Sequence, residues 1–157
     1  MFIKKILKDN RAYGTQNWAI MIMLTFICTS GLIDLCLLFV AKNDLNNVVS
    51  WLAEVGTYQG GFCSSAPYGW EAIMGSSSKY VTAGEAANSF YSAFGNLQCV
   101  SNRSISGISQ VPYHSEGRIT GEAVYNPPFC KKIFGTQYTM SRTAGFIGFW
   151  HYRYSGF

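Results

Sequence analysis

The sequence predicts an α+β protein, in which a long N-terminal transmembrane helix continues into an exported stem and a small β-rich domain with one short helix. Residues 18–41 form an apolar run of 24 residues with Asp34 as its single charge. An apolar stripe at helical spacing continues beyond this run, and the last third alternates in part between apolar and polar residues. We therefore divide the chain into a basic cytoplasmic leader (1–16), a transmembrane helix with its stem (17–61) and an exported α+β domain (62–157).

The apolar run is long enough to cross a bilayer, since a spanning helix needs about 20 residues. Lys4, Lys5, Lys8 and Arg11 precede it, so the positive-inside rule predicts a cytoplasmic N-terminus and an extracytoplasmic C-terminal domain. The alternative is a cleaved signal peptide, whose apolar core is usually about 7–15 residues. Because this core is longer, we expect a retained, single-pass anchor in the cell membrane.

A regular stripe of apolar residues crosses from the run into the stem. Its members are Leu38, Ala41, Leu45, Val48, Leu52 and Val55. The spacing alternates between three and four residues and no proline interrupts it, which predicts one continuous helix over about 17–58, ended by Gly60-Gly61. Such a stripe packs either on the protein's own globular part or on identical or related helices, which would make the stem a site of homo-oligomerisation.

Asp34 is the unusual residue of the apolar run, because an ionisable group in a membrane is costly and is usually paired. Two interpretations are open from the sequence. The carboxyl group contacts a basic group of a partner, or it lies near the outer end of the helix and is neutral or reaches water.

In the exported part, Gly/Ser-rich residues 60–79 predict a loop. Thr82 and Glu85 form a capping-box pattern that predicts a helix over 83–95. Its predicted apolar face consists of Ala86, Phe90, Ala93 and Phe94.

The last third of the sequence is typical of strands. The predicted strand segments are 104–113, 117–126, 132–142 and 144–154, with a turn at 126–128. In the second segment we expect Ile119, Gly121, Ala123 and Tyr125 to share one face. The aromatic C-terminal segment is either the final strand or an exposed end that docks on a partner.

The cysteines allow a disulfide in the exported part. Cys63, Cys99 and Cys130 lie there, and we favour a bond from either Cys63 or Cys99 to Cys130. Cys28 and Cys36 lie in the apolar run, where they are expected to behave as small buried residues. We expect no metal site, because His114 and His151 have no ligand spacing.

Composition argues against several classes of function. Only 13% of residues are charged and the net charge of +4 forms no basic stripe, so nucleic-acid binding is not expected. The sequence contains no nucleophile–base motif, and we expect neither enzymatic activity nor a cofactor.

Four short segments together resemble the TadE-like, pilin-like proteins, and more closely the small members found with Gram-positive conjugative elements. They are the leader end NRAYG (10–14), FVAKNDLN (39–46), AEVG (53–56) and Gly60-Gly61. The resemblance covers roughly residues 8–61.

The resemblance implies a pilin-like or pseudopilin-like structural subunit of a pilus, secretion or conjugation apparatus, with other such subunits as partners. It also implies leader cleavage between Gly14 and Thr15, after which the helix lies in the membrane or in a helical bundle. The chain departs from the pilin pattern at Ala19, where pilins commonly carry Glu. The alternatives are an unprocessed accessory subunit and a membrane-tethered extracellular binding domain that does not polymerise.

Overall fold

The computed structural model describes residues 10–67, 70–75, 79–95, 97–112, 114–131 and 135–148. The elements in chain order are α1 (Asn10–Gln59), α2 (Trp70–Met74), α3 (Ala83–Ala93), β1 (Val100–Ser106), β2 (Glu116–Tyr125) and β3 (Tyr138–Ile147). The three strands form one antiparallel sheet in the order β1-β2-β3. The predicted α+β class is confirmed, with a long N-terminal helix followed by a short helix and a small sheet.

Helix α1 is a single element of 50 residues, about 75 Å long at about 1.5 Å per residue. It ends as the sequence predicts, at Gly60-Gly61. Gly60 has a φ of +74°, and the Gly61 N–H donates to the Gly56 carbonyl at 2.8 Å. These are features of a Schellman cap, in which a residue without Cβ takes the left-handed conformation.

One face of α1 packs on the inner face of the sheet. In β2 the residues Ile119, Gly121, Ala123 and Tyr125 share one face, as predicted, and the structure shows that this face is buried. Phe90 and Phe94, at the end of α3, are fully buried in the same core. The core contains side chains from α1, α3 and the sheet. The C-terminal half of α1, residues 34–59, which we call the outer half, therefore shares one core with the segment after residue 62.

Strand β2 runs antiparallel to the outer half of α1. Its first residues pair with the end of β3, where Phe146 lies against Gly56 near the end of the helix. Its last residue, Tyr125, reaches back to Asp34, where its hydroxyl donates to the backbone carbonyl at 2.8 Å. The turn between β2 and β3 therefore lies at the level of Asp34, beside the middle of the helix.

The strand boundaries differ from the predicted segments. The third and fourth predicted segments join in the single strand β3, since Arg142 and Thr143 stay in register with Gly121 and Thr120 rather than forming a turn. Strand β1 begins earlier than predicted because Val100 is buried and pairs with Tyr125. The predicted strand residues 149–154, including His151, lie outside the described residues.

The segment predicted as a loop contains the short helix α2 and is fastened to the end of α1. The side chain of Gln59 is buried and donates to the carbonyls of Gly61 and Val81, at 3.0 and 2.7 Å. It also accepts from the Val81 N–H at 3.1 Å. One amide group thus satisfies both sides of the connection, which a sequence pattern does not reveal.

Helix α3 begins with the predicted capping box. The Thr82 hydroxyl accepts from the Glu85 N–H at 3.2 Å, and the Glu85 carboxylate accepts from the Thr82 N–H at 3.0 Å. Lys79 Nζ lies 2.7 Å from the other carboxylate oxygen of Glu85. The hydrogen bond from Lys79, followed by those from Thr82, lowers the pKa of Glu85 from 4.5 to about 2.

Gly121 marks a close approach between the sheet, α1 and α3. A Cβ at this position would lie 2.7 Å from both Phe90 Cε2 and Val49 Cγ2. We expect Gly121→Val to destabilise the fold by about 1–3 kcal/mol, because overpacking forces well-packed groups apart. The urea midpoint of unfolding measures this. Gly84→Ala is the control, since a Cβ there meets nothing within 4 Å, and an unchanged midpoint for Gly121→Val would contradict the packing.

Stability is expected to depend on the ionisation of Glu85. Its pKa is lowered in the folded state, so its contribution is complete above the unfolded value of 4.5 and is lost as the pH falls through about 2. Unfolding followed by circular dichroism between these pH values should show less acid destabilisation for Glu85→Gln than for the parent chain. Glu122→Gln removes an exposed carboxylate elsewhere and serves as the control; equal acid sensitivity in the parent and Glu85→Gln would refute the assignment.

Candidate functional site

The N-terminal half of α1, residues 14–33, which we call the inner half, is apolar and uncovered. The segment Gly14–Gln59 contains an 18-residue window with a mean hydropathy of 2.2, of which 11% is buried. A core helix of a soluble protein would be mostly buried instead. Large exposed side chains occur on all sides of the helix before Asp34: Trp18, Ile20, Met21, Ile22, Met23, Leu24, Phe26, Leu32 and Ile33. By length and composition this helix is a candidate membrane span.

The hydroxyl groups of this half are satisfied within the helix itself. Thr25 and Thr29 donate to the carbonyls four residues earlier, each at 2.8 Å. Ser30 donates to the carbonyl of Phe26 in the same way. Such internal bonds are what a hydrocarbon environment requires, because lipid tails offer no hydrogen-bond partners.

The outer half of α1 carries the predicted stripe, and the chain's own domain covers it. Ala41, Leu45, Val48 and Leu52 are buried, while Leu38 and Val55 at the two ends are partly buried against the same core. Of the two interpretations left open by the sequence, the structure shows the internal one. The stripe is therefore not a free surface for the predicted homo-oligomer contact.

Asp34 lies where the bare and covered halves of α1 meet. It is 4% exposed, and its carboxylate accepts the backbone N–H groups of Phe129 at 3.3 Å and Cys130 at 2.6 Å. We call Asp34, Tyr125, Phe129 and Cys130 the Asp34 junction. These contacts are with backbone amides of the chain's own β2–β3 turn, which neither interpretation from the sequence named.

The physical reason is that a helical turn begins at these residues. The Lys131 N–H donates to the Pro127 carbonyl at 3.1 Å, which closes a turn whose first N–H groups have no partner within it. A carboxylate satisfies such N–H groups and is favoured at the positive end of the turn. The contact between Asp34 and this turn joins residues far apart in the chain, so no local sequence pattern could predict it.

Burial also affects the titratable groups around Asp34. Desolvation, and then the nearby Cys99, Asp34 and Cys130, raise the pKa of the Tyr125 hydroxyl. A hydrogen bond with Asp34 raises the pKa of the Cys130 thiol, and desolvation raises that of Cys99. Both thiols are consequently protonated at neutral pH, which disfavours nucleophilic or metal-binding chemistry at these two positions.

All five cysteines lie in the described part of the chain, and none of them forms a disulfide there. The predicted bond from Cys63 or Cys99 to Cys130 is therefore absent. Cys130 contacts Asp34 through its backbone N–H, which donates to the carboxylate at 2.6 Å. Cys28 and Cys36 are exposed on α1, whereas the sequence suggested buried residues, because no other part of the described chain covers that face.

The other predicted site residues lie apart from this junction. Gly14 and Thr15, the predicted cleavage position, are exposed within the first turns of α1. His114 is exposed and His151 lies outside the described residues. Within the described ranges, no three His, Cys, Asp or Glu side chains are grouped to hold a metal ion.

An open groove of about 420 Å³ lies between the outer half of α1 and α3. Trp51 and the Lys79–Glu85 ion pair line it together with the polar side chains of Asn88 and Ser89. No sequence pattern points to this groove, because its residues belong to three separate segments and are exposed or half-buried.

Comparison with known proteins gives no relative from which function could be inferred. No protein-family model, curated protein or solved structure matches this chain.

The Asp34 junction predicts a specific cost of substitution. Asp34→Asn keeps the shape but leaves one buried N–H without an acceptor, so we expect a loss of about 1–3 kcal/mol in stability. Thermal unfolding in detergent, followed by near-ultraviolet circular dichroism, measures this. Asp44→Asn makes the same change two to three turns further along α1, at a half-exposed position, and should shift stability by less than about 0.5 kcal/mol. Equal effects of the two variants would refute a structural role of the junction.

Proposed function

We propose that this chain is a pilin-like structural subunit of a pilus, secretion or conjugation apparatus, anchored in the cell membrane by α1 with its domain outside. One observation carries the proposal: α1 is bare and apolar before Asp34, and after Asp34 one face of the helix is buried by the chain's own domain. A subunit that moves from a bilayer into a bundle of helices needs such a helix, since its free half must be compatible with both surroundings.

The packing of α1 supports a retained helix rather than a cleaved signal peptide. Leu45, Val49 and Leu52 are essentially inaccessible to solvent and lie at the centre of the core. Signal-peptide cleavage between residues 52 and 61 would remove all three together, and each buried Leu typically contributes about 2–5 kcal/mol relative to Ala. The exported domain would then lack the element on which its sheet is packed.

The surface open to other subunits is the bare half of α1 and its outward face, opposite the domain. That face presents Leu32, Leu35 and Phe39, which are all exposed. Further along the helix, the same side carries Asn43 and Asn47, which are both exposed. Contacts with other helices are therefore expected before residue 43, and not along the stripe that the sequence suggested.

The leader adds support of a different kind. Gly14 and Thr15 are exposed, so a peptidase at the cytoplasmic face would reach this peptide bond without opening the domain. Ala19 takes the place of the usual Glu, so a subunit that keeps its leader is part of the same proposal.

A second candidate function is a membrane-tethered binding domain that does not polymerise. The groove with Trp51 favours it, because an exposed indole beside amide and hydroxyl groups suits a ligand with both apolar and polar faces. In this case α1 would serve only as the anchor.

The first experiment is the intact mass of the protein extracted from membranes after an alkaline carbonate wash. A chain that stays in the membrane and begins at Thr15 supports a processed pilin-like subunit. A membrane chain that begins at Met1 supports the unprocessed anchor. A chain that begins between residues 41 and 61 and leaves with the wash contradicts both functions.

Two matched variants then separate assembly from tethering. Phe39 and Trp51 are exposed aromatic residues on α1, on its outward face and in the groove respectively. For an assembling subunit, Phe39→Ala should reduce the fraction recovered in high-mass complexes in mild detergent, while Trp51→Ala should leave it unchanged. A tethered binder predicts no effect of Phe39→Ala on mass and a loss of ligand retention in Trp51→Ala.

A further inference from the structure

We propose that the turn between β2 and β3 rests in the headgroup region of the bilayer that holds α1, so that the exported domain has a second contact with lipid. The surface concerned consists of Phe129, Lys131 and Tyr138 beside Asp34 and Leu35 of α1, and we call it the membrane-proximal rim. This inference rests on the proposed membrane anchoring and goes beyond it, because an anchored domain could equally stand clear of the membrane.

The position of the rim along the axis of α1 matches the boundary of a bilayer. Asp34 binds the backbone of Phe129, and a small cavity of about 60 Å³ is lined by both Tyr138 and Leu38. The rim therefore lies at the level of residues 34–38. Asp34 is about 24 Å along the helix axis from Trp18, at about 1.5 Å per residue, whereas a hydrocarbon core is about 30 Å thick.

A span that begins at Trp18 thus reaches the outer boundary of the hydrocarbon near Leu38. A span that begins at Gly14 reaches it near Asp34. In either placement, an upright helix brings the rim to the boundary between lipid tails and headgroups.

On the outward face of α1, the change from apolar to polar side chains indicates where water begins. Leu35, Phe39 and Val40 are exposed and apolar, and Phe39 is 72% exposed. The next exposed residues along the helix are Lys42 and Asn43. The change from apolar to polar occurs after Val40, about 9 Å beyond Asp34. The rim is therefore on the lipid side of the change.

The rim also carries the aromatic and lysine side chains that suit a membrane interface. Phe129 and Tyr138 are 38% and 47% exposed, and Lys131 is exposed with its ammonium group 2.8 Å from the Asn126 side-chain oxygen. Aromatic rings are favoured at the membrane interface, and a lysine there is attracted to anionic headgroups. Asp34 satisfies the backbone N–H groups of Phe129 and Cys130, so these two groups enter the interface without an unpaired polar atom.

A consequence concerns orientation. A helix alone leaves the domain free to rotate about the helix axis, whereas a second lipid contact on one side fixes which face of α1 points away from the domain. The outward face with Leu32 and Phe39 would then be presented within the membrane plane at a defined angle, ready to meet another helix.

The test places the photoreactive amino acid p-benzoylphenylalanine in the full-length protein at one position at a time. Position 129 reports on the rim, position 138 repeats that measurement at a second site, and position 26 reports on the span. Position 58 is the control, because Tyr58 is an exposed aromatic residue about 36 Å further along α1 than Asp34. Each protein is reconstituted in vesicles of phosphatidylcholine and phosphatidylglycerol, irradiated and analysed by intact mass for lipid adducts.

We expect lipid adducts at positions 26, 129 and 138 and none above background at position 58. Adducts at 26 without adducts at 129 and 138 would overturn the rim contact while leaving the anchored helix in place. A lack of adducts at all four positions would refute the anchoring and the rim together. Protein–protein adducts at 129 and 138 in place of lipid adducts would show that a second copy covers the rim, which also overturns the proposal.

Discussion

The packing of Leu45, Val49 and Leu52 beneath the sheet is the contact on which the rest of this structure depends. A small antiparallel sheet has an apolar face that must be covered, and the outer half of α1 is a long helix that is not stable without tertiary packing. The helix covers the apolar face of the sheet, and the sheet supplies the packing that stabilises the helix. Gly121 makes the close approach possible, because a side chain there would meet Val49 and Phe90. The bare inner half is then displayed as a direct continuation of a helix that the domain holds rigidly.

Asp34 determines where the covered part of α1 ends. Its carboxylate and backbone carbonyl bind the β2–β3 turn and the Tyr125 hydroxyl, respectively, so one turn of helix is fastened to the sheet by three hydrogen bonds. The same residue gives the apolar run its single charge. Burial of an ionisable group among apolar residues is costly, and here protein amides satisfy it. The position of Asp34 therefore marks the junction between the free part of the helix and the domain.

Local patterns predicted the elements well where the cause was local. The Gly60-Gly61 stop, the Thr82–Glu85 capping box and the two alternating faces of β2 depend on neighbouring residues, and all three are confirmed. The candidate site was harder to predict. The role of Asp34 and the groove beside Trp51 are produced by segments that are distant in sequence. The expected disulfide among Cys63, Cys99 and Cys130 is absent from the described part of the chain.

The sequence by itself determined that one helix is long, apolar in its first half and lined by an apolar stripe in its second half. Periodicity and hydropathy depend only on the order of residues along the chain. It also determined which residues of β2 share a face. Only the tertiary structure decided what the stripe contacts, since a stripe of Leu and Val packs equally well on a neighbouring molecule or on its own sheet. The choice was made by the shape of the sheet, by the space at Gly121 and by the amides that meet Asp34, none of which exists until the chain has folded.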